Sequence, residues 1–205
     1  MKIKILIADD HAIVRYGLAS LIGTQPDMEV VAQARNGEET EELPLKTTPD
    51  IVVMDLAMPK MDGAEATAVL KNRLPAAKVV ILTSFGNSDG IAHALDAGAV
   101  GAIMKTTDDS SILPTLRRIA TGESVISPEI KKQLRLDPPI PELSPRQRDI
   151  LASLARGLTN KDIAAQLGIR KDSVEKYIKT LLAKIGAANR TEAVAIALRK
   201  QLLKV

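Results

Sequence analysis

Five side chains able to do chemistry recur along the first half of this 205-residue chain: Asp9 with Asp10, then Asp55, Thr83 and Lys105. Each closes or follows a short β-branched run. Ile3–Ala8 leads to Asp9 and Asp10, Ile51–Met54 to Asp55, Val79–Thr83 ends in Thr83, and Val100–Met104 leads to Lys105. Carboxylates combined with a lysine and a hydroxyl point to phosphoryl transfer onto a carboxylate. Mg²⁺ prefers oxygen ligands, usually a few carboxylates plus water and phosphate. Asp10 and Asp55, with Asp9 acting through a water, would form such a hard anionic pocket. Asp55 would be the nucleophile, giving an acyl phosphate. Lys105 would set a point charge on one phosphoryl oxygen, and the Thr83 hydroxyl would donate to another.

These residues need a frame that brings them together. A fifth β-like run, Val30–Ala34, carries none of them. Helical spacing fills the gaps at Ile13–Ile22, Glu38–Leu45, Ala64–Leu74, Ile91–Ala97 and Ser110–Thr121. Five strands alternating with five helices predict an α/β fold, a doubly wound five-stranded parallel sheet. The runs at 3–8, 51–54 and 79–83 are nearly all apolar, as strands covered on both faces must be. Ligands in such sheets bind beyond the carboxyl ends of the strands, so the five side chains would share one edge.

Composition narrows the function classes. No cysteine means no disulfide framework, thiolate zinc site or cysteine nucleophile, and it fits a cytoplasmic setting. Two histidines and one phenylalanine argue against a histidine metal cluster and a base-stacking platform. No apolar run approaches the ~20 residues that span a bilayer, and Met1–Lys4 opens no signal-peptide pattern. The net charge of +3 is unevenly placed. Residues 1–121 hold 12 Lys and Arg against 16 Asp and Glu, while residues 141–205 hold 13 against 6. An acidic front and a basic rear predict two domains with different partners, at 1–121 and 142–205. Between them, 122–141 reads as a linker with Pro128, Pro138, Pro139 and Pro141, a short helix over Pro128–Leu136 and a semi-stiff extended end.

The rear is helical throughout, and its caps are legible. Ser144-Pro145-Arg146-Gln147 offers an N-cap, a first-turn proline and a capping-box glutamine, and that helix ends near Gly157. Thr159 caps the next helix, which stops at Gly168. A third runs from Lys171 to Ile185 and ends at Gly186, and Asn189 opens a fourth. The second and third have helix-turn-helix proportions in a small all-α four-helix domain. Val174, Ile178, Leu181 and Ile185 form an apolar stripe on the third. Its polar side carries Lys171, Ser173, Glu175, Lys176 and Lys179, which would face bases or phosphates in a major groove. Asn160, Lys161 and the amides at the Thr159 helix start would hold backbone phosphate.

Residues 1–121 resemble the receiver domain of two-component response regulators. The resemblance lies in Ile7-Ala8-Asp9-Asp10-His11, the segment Met54–Gly63 with its Asp-x-x-Met-Pro-x-Met-Asp-Gly pattern, Thr83-Ser84 and Lys105. It implies that Asp55 accepts phosphate from a sensor histidine kinase. It further implies Mg²⁺ on Asp10, Asp55 and the Ala57 carbonyl, with Asp9 assisting through water, and Pro59 and Gly63 shaping the adjacent loop. One departure is Ala102, where the family usually carries an aromatic that swings inward; Phe85 is a nearby aromatic with a packing role as its default. The rear resembles the LuxR-type DNA-binding domain at Leu143–Arg148, Gly157–Ala164 and Ser173–Lys179. Together they match the NarL/FixJ class of response regulators. That resemblance implies promoter DNA as a partner and phosphorylation that frees the DNA-binding face. It also implies a homodimer on DNA, paired through the last helix, with half-sites ~10 base pairs apart or a multiple of that. Here too the chain departs. Arg170 offers no capping oxygen, Tyr177 replaces the usual histidine with packing as its default, and Glu175 replaces the usual basic residue. Glu175 either narrows base preference, by accepting from a cytosine amino group, or weakens binding.

Two other readings compete. An aspartate-nucleophile phosphohydrolase usually carries a second acid two residues after the nucleophile, and here that residue is Ala57. A regulator that no longer uses phosphate and acts as a constitutive DNA-binding or scaffolding protein would be compatible with Ala102 and with the weak cap at Arg170.

Overall fold

The structure is a computed structural model. It describes residues 2–84, 88–105, 109–141, 143–200 and 202–203, with backbone alone at 109 and 110. Phe85 lies outside the described residues. The chain divides into two compact units, Met1–Pro138 and Pro139–Val205.

Alternation of strand and helix builds the first unit. The strands are β1 (Ile3–Ala8), β2 (Met28–Ala34), β3 (Ile51–Asp55), β4 (Lys78–Thr83), β5 (Gly101–Met104) and β6 (Val125–Ile126). The helices are α1 (Ala12–Gly23), α2 (Glu39–Thr47), α3 (Gly63–Arg73), α4 (Ser88–Asp96), α5 (Asp109–Ala120) and α6 (Pro128–Leu136). All described strand pairs are parallel, in the order β2-β1-β3-β4-β5-β6. The sheet therefore has six strands rather than the five read from the sequence. The sixth is two residues long, too short for any periodicity to announce it.

The period of two along each strand explains why the strands read as continuous apolar runs. Leu6, Val52, Met54, Val79, Ile81, Ala102 and Met104 face one core with Ala66, Leu70, Ile91 and Ile130. Ile5, Ile7, Ile51, Val53, Val80, Leu82 and Ile103 face the other, with Leu18, Ile22, Ile112, Leu116 and Ile119. Adjacent residues alternate between two dry layers, so both faces exclude water.

The second unit comprises α7 (Pro145–Ala155), α8 (Asn160–Leu167), α9 (Lys171–Ile185) and α10 (Arg190–Arg199). Its caps form as their residue types dictate. Ser144 and Gln147 make a reciprocal capping box, as do Thr159 and Asp162. Gly168 and Gly186 take left-handed conformations at the ends of α8 and α9, with φ of 62° and 76°. The Asn189 side chain accepts from Glu192 N–H to start α10. The interior gathers Ile150, Leu151, Ile163, Val174, Leu181, Ile185 and Ala193. Among the described residues no helix is long and apolar enough to cross a membrane.

Candidate functional site

Parallel pairing carries the ends of β1, β3, β4 and β5 to one rim. Asp55 pairs in register with Leu82, and Thr83 with Met104. Asp9 and Asp55 are almost wholly buried at 1% and 3% exposure, and Asp10 is exposed. Lys105 Nζ stands 2.8 Å from Asp9 Oδ2 and 2.9 Å from Asp55 Oδ2. Both oxygens are closed to solvent, yet neither meets the angles of a directed hydrogen bond. At these distances the contact is real and mainly Coulombic.

The electrostatics follow from this crowding. Burial pushes the Asp55 carboxyl above the ordinary carboxylate range; Asp9 adds repulsion, while Lys105 and the Ala57 backbone draw it partly back. Burial opposes the Lys105 charge, and the two carboxylates outweigh it, raising that ammonium above its ordinary value. One lysine between two acids leaves a net negative pocket.

The loop after Asp55 is tightly held. Asp62 caps α3 by accepting from Ala64 N–H at 2.9 Å and Glu65 N–H at 2.8 Å. Gly63 donates its N–H to Leu56 O at 2.9 Å, and any Cβ there would collide with the Asp55 carbonyl. Met61 N–H donates to Pro59 O at 2.9 Å. Lys60 has a left-handed φ of 71°, and its Nζ pairs with Glu38 at 2.6 Å.

Thr83 is buried, and its hydroxyl donates to the Ser84 carbonyl at 3.1 Å rather than to an acid. Lys105 N–H donates to Thr83 O at 2.7 Å, tying the ends of β4 and β5. Ala102 is fully buried and pairs with Ile126 of β6.

Two further residues belong to the rim. His11 Nδ1 lies 2.6 Å from Asp10 Oδ1 and 3.3 Å from Asp9 Oδ1, and its N–H donates to Asp9 Oδ1 at 2.8 Å. Arg15 is buried, and its Nη1 donates to the Asp9 carbonyl at 2.7 Å. A signal for Arg15 existed: it is the only charge among the twelve residues of α1. His11 adjoins Asp10 in sequence, but only coordinates reveal the contact. Donor atoms of Asp9, Asp10, His11 and Asp55 lie within 4.8 Å of one another. Carboxylate oxygens dominate that set, two of them on buried acids, so the donors fit a hard divalent cation such as Mg²⁺.

In the second unit, α8, a turn at 168–170 and α9 form the helix-turn-helix. Lys171, Glu175, Lys176 and Lys179 are exposed on α9, Ser173 is half-buried, and Val174, Leu181 and Ile185 face inward. Lys171 and Glu175 pair at 3.5 Å one turn apart. Arg170 occupies the N-cap of α9 without a side-chain cap bond. Tyr177 remains 38% exposed, so it is not the packed side chain its default reading suggests. Thr159 commits both its N–H and its hydroxyl to Asp162 Oδ2, at 3.0 and 2.6 Å. That turns Thr159 toward the cap and leaves the side chains of Asn160, half-buried, and Lys161, exposed, at the start of α8.

A six-stranded parallel sheet with an acid-lysine rim, followed by a helix-turn-helix unit, defines a receiver joined to a DNA-binding domain. Residues 5–117 match the family described as response regulator receiver domain, and residues 141–197 match bacterial regulatory proteins of the luxR family. The chain belongs to the two-component response regulators, in the NarL/FixJ class, a family of transcriptional regulators rather than typical enzymes. It is 37% identical over 212 residues to the response regulator protein VraR of Staphylococcus aureus strain NCTC 8325, covering 100% of both chains. It is 33% identical to the response regulator ChrA of a heme-sensing two-component system, covering 98% of this chain and 99% of that one, with a TM-score of 0.59. The RcsB–DNA complex shares the fold at 21% identity, covering 97% of this chain and 99% of that one, with a TM-score of 0.71.

Proposed function

We propose that this protein is a cytoplasmic, phosphorylation-controlled transcriptional regulator. Asp55 accepts a phosphoryl group from a sensor histidine kinase, and that event modulates sequence-specific binding of the second unit to promoter DNA. The observation that carries the reading is Asp55 itself, buried at a strand end, crowded by Asp9 and bridged to it by Lys105.

An Asp55 oxygen attacks the phosphorus of the donor's phosphohistidine; the P–N bond breaks, and the imidazole nitrogen leaves with the bonding pair and takes a proton from water. Asp10, Asp55 and the Ala57 carbonyl would hold Mg²⁺, with Asp9 acting through water. When bound, that ion offsets repulsion between carboxylate and phosphate. Lys105, already between the two acids, turns its charge to the incoming phosphoryl oxygens. The Thr83 hydroxyl leaves the Ser84 carbonyl to donate to one of them. On the second unit, exposed Lys171, Lys176 and Lys179 meet phosphates, with Ser173 and Glu175 toward the bases. Asn160 and Lys161 hold backbone phosphate, and Thr159 contributes as the cap that starts their helix. Two copies pair on DNA.

The test combines labelling and binding. Acetyl phosphate with Mg²⁺ should add one phosphoryl group to the wild type, and labelling should vanish in Asp55→Asn. DNA affinity should respond to the phosphodonor in wild type alone. Equal labelling of Asp55→Asn would remove Asp55 from the role.

A further inference from the structure

The stretch between the two predicted domains does not hang free. Val125 N–H donates to Val100 O and Ser127 N–H to Ala102 O, both at 3.0 Å, attaching β6 to β5. Ile130 on α6 is completely buried in the same core as Ala102, Ile91 and Met104, with Ile126 and Leu134 packed beside it. Gly101 makes the approach feasible: a Cβ there would stand 2.9 Å from both Val125 O and Ile119 Cδ1. So the strand that leads to Lys105 also carries this segment.

A second tie joins the far end of α6 to α4. Buried Ser88, the first residue of α4, donates its hydroxyl to Asp137 Oδ2 at 2.7 Å. Asp137 is the C-cap of α6. A carboxylate at a helix C-terminus opposes the macrodipole, whereas one at a helix N-terminus is favoured. The Asp137 charge is therefore stabilised by α4 and disfavoured by its own helix, which makes the seating of α6 depend on where α4 begins. Ser88 follows Thr83 by five residues, and the Thr83 hydroxyl donates to the Ser84 carbonyl.

We infer that β6 and α6 form the element through which phosphorylation is read out. A phosphoryl group on Asp55, with its strong acceptor oxygens, recruits the Thr83 hydroxyl, shifts the start of α4, breaks the Ser88–Asp137 bond and releases α6. This inference rests on the proposed role of Asp55. Pro138 ends the first unit, Pro139 begins the second and Ile140 is already buried in the second unit's core, so a released α6 turns residues 122–138 into tether for the DNA-binding unit. The small residues at 101 and 102 are then part of the device, because they make room for β6 and α6 against the sheet.

Hydrogen exchange of the full-length chain, with Asp55 labelling followed by intact mass in the same samples, tests this. In labelled wild type, exchange across 125–136 should accelerate at least tenfold, while the core strand 51–55 stays unchanged. Ser88→Ala and Asp137→Ala should each raise exchange there before labelling and shrink the response to labelling below twofold. A purely structural bond would instead leave the labelling response intact on a higher baseline. Labelled wild type with unchanged exchange across 125–136, or variants responding as fully as wild type, would overturn the inference while Asp55 keeps its role. Absence of labelling in wild type would overturn the proposed function and take this mechanism with it.

Discussion

The rim of the first unit and the outer face of α9 both gather charge, but under opposite conditions. At the rim, Asp9 and Asp55 are brought from separate strands into a dry space with one shared lysine. On α9, Lys171, Glu175, Lys176 and Lys179 come from one helix and stand in solvent. Buried charges interact strongly because little water screens them, whereas exposed ones are worth tenths of a kcal/mol to the fold. The rim should therefore trade stability for chemistry, and the helix face should trade almost none.

The largest expected effect is at Lys105. Lys105→Ala leaves two buried carboxylates without a cation and should destabilise the protein by about 3 kcal/mol. Urea unfolding measures this, and a loss below 0.5 kcal/mol (about the size of an ordinary surface change) would erase the contrast. Labelling by acetyl phosphate should fall at least tenfold in the same variant.

Asp55→Asn should move the other way. It removes a carboxylate whose pKa burial has raised, so the metal-free variant should melt a few degrees above wild type at neutral pH. The sign has a pH signature. A raised folded-state pKa means the folded protein binds the proton more tightly than the unfolded chain, so the penalty in wild type exists above that pKa and fades as pH falls through it. The gap between variant and wild type should close on acidification. A gap that widens toward low pH would contradict burial as the dominant cause.

The smallest effects belong to α9. Lys176→Ala and Lys179→Ala should each weaken DNA binding several-fold and reduce the salt slope by about one. Their melting temperatures should match wild type. Unchanged binding in both would remove this helix face from the DNA contact, and a large drop in stability would show that its charges are not merely solvated.

Much of this was legible in residue order. Apolar runs of period-two packing, capping boxes at Ser144 and Thr159, and glycines at 168 and 186 are local signals, and local backbone energetics enforce them. The acids and the lysine at strand ends were legible for the same reason, since a parallel sheet must collect them on one edge. The sixth strand was not, because Val125 and Ile126 extend only where β5 offers an open edge and Gly101 offers room. Arg15 and His11 escaped because their partners are a carbonyl and a carboxylate whose placement depends on how the chain leaves β1.

Residue types and their spacing by themselves determined the two-unit plan, the helix ends and which acids stand at the strand ends, all through interactions spanning a few residues. Tertiary structure alone decided that one lysine bridges Asp9 and Asp55, that the connector joins the sheet, and that Ser88 meets Asp137. Those contacts join residues 24 to 96 positions apart, where packing and desolvation of the whole core, rather than local propensity, set which groups meet.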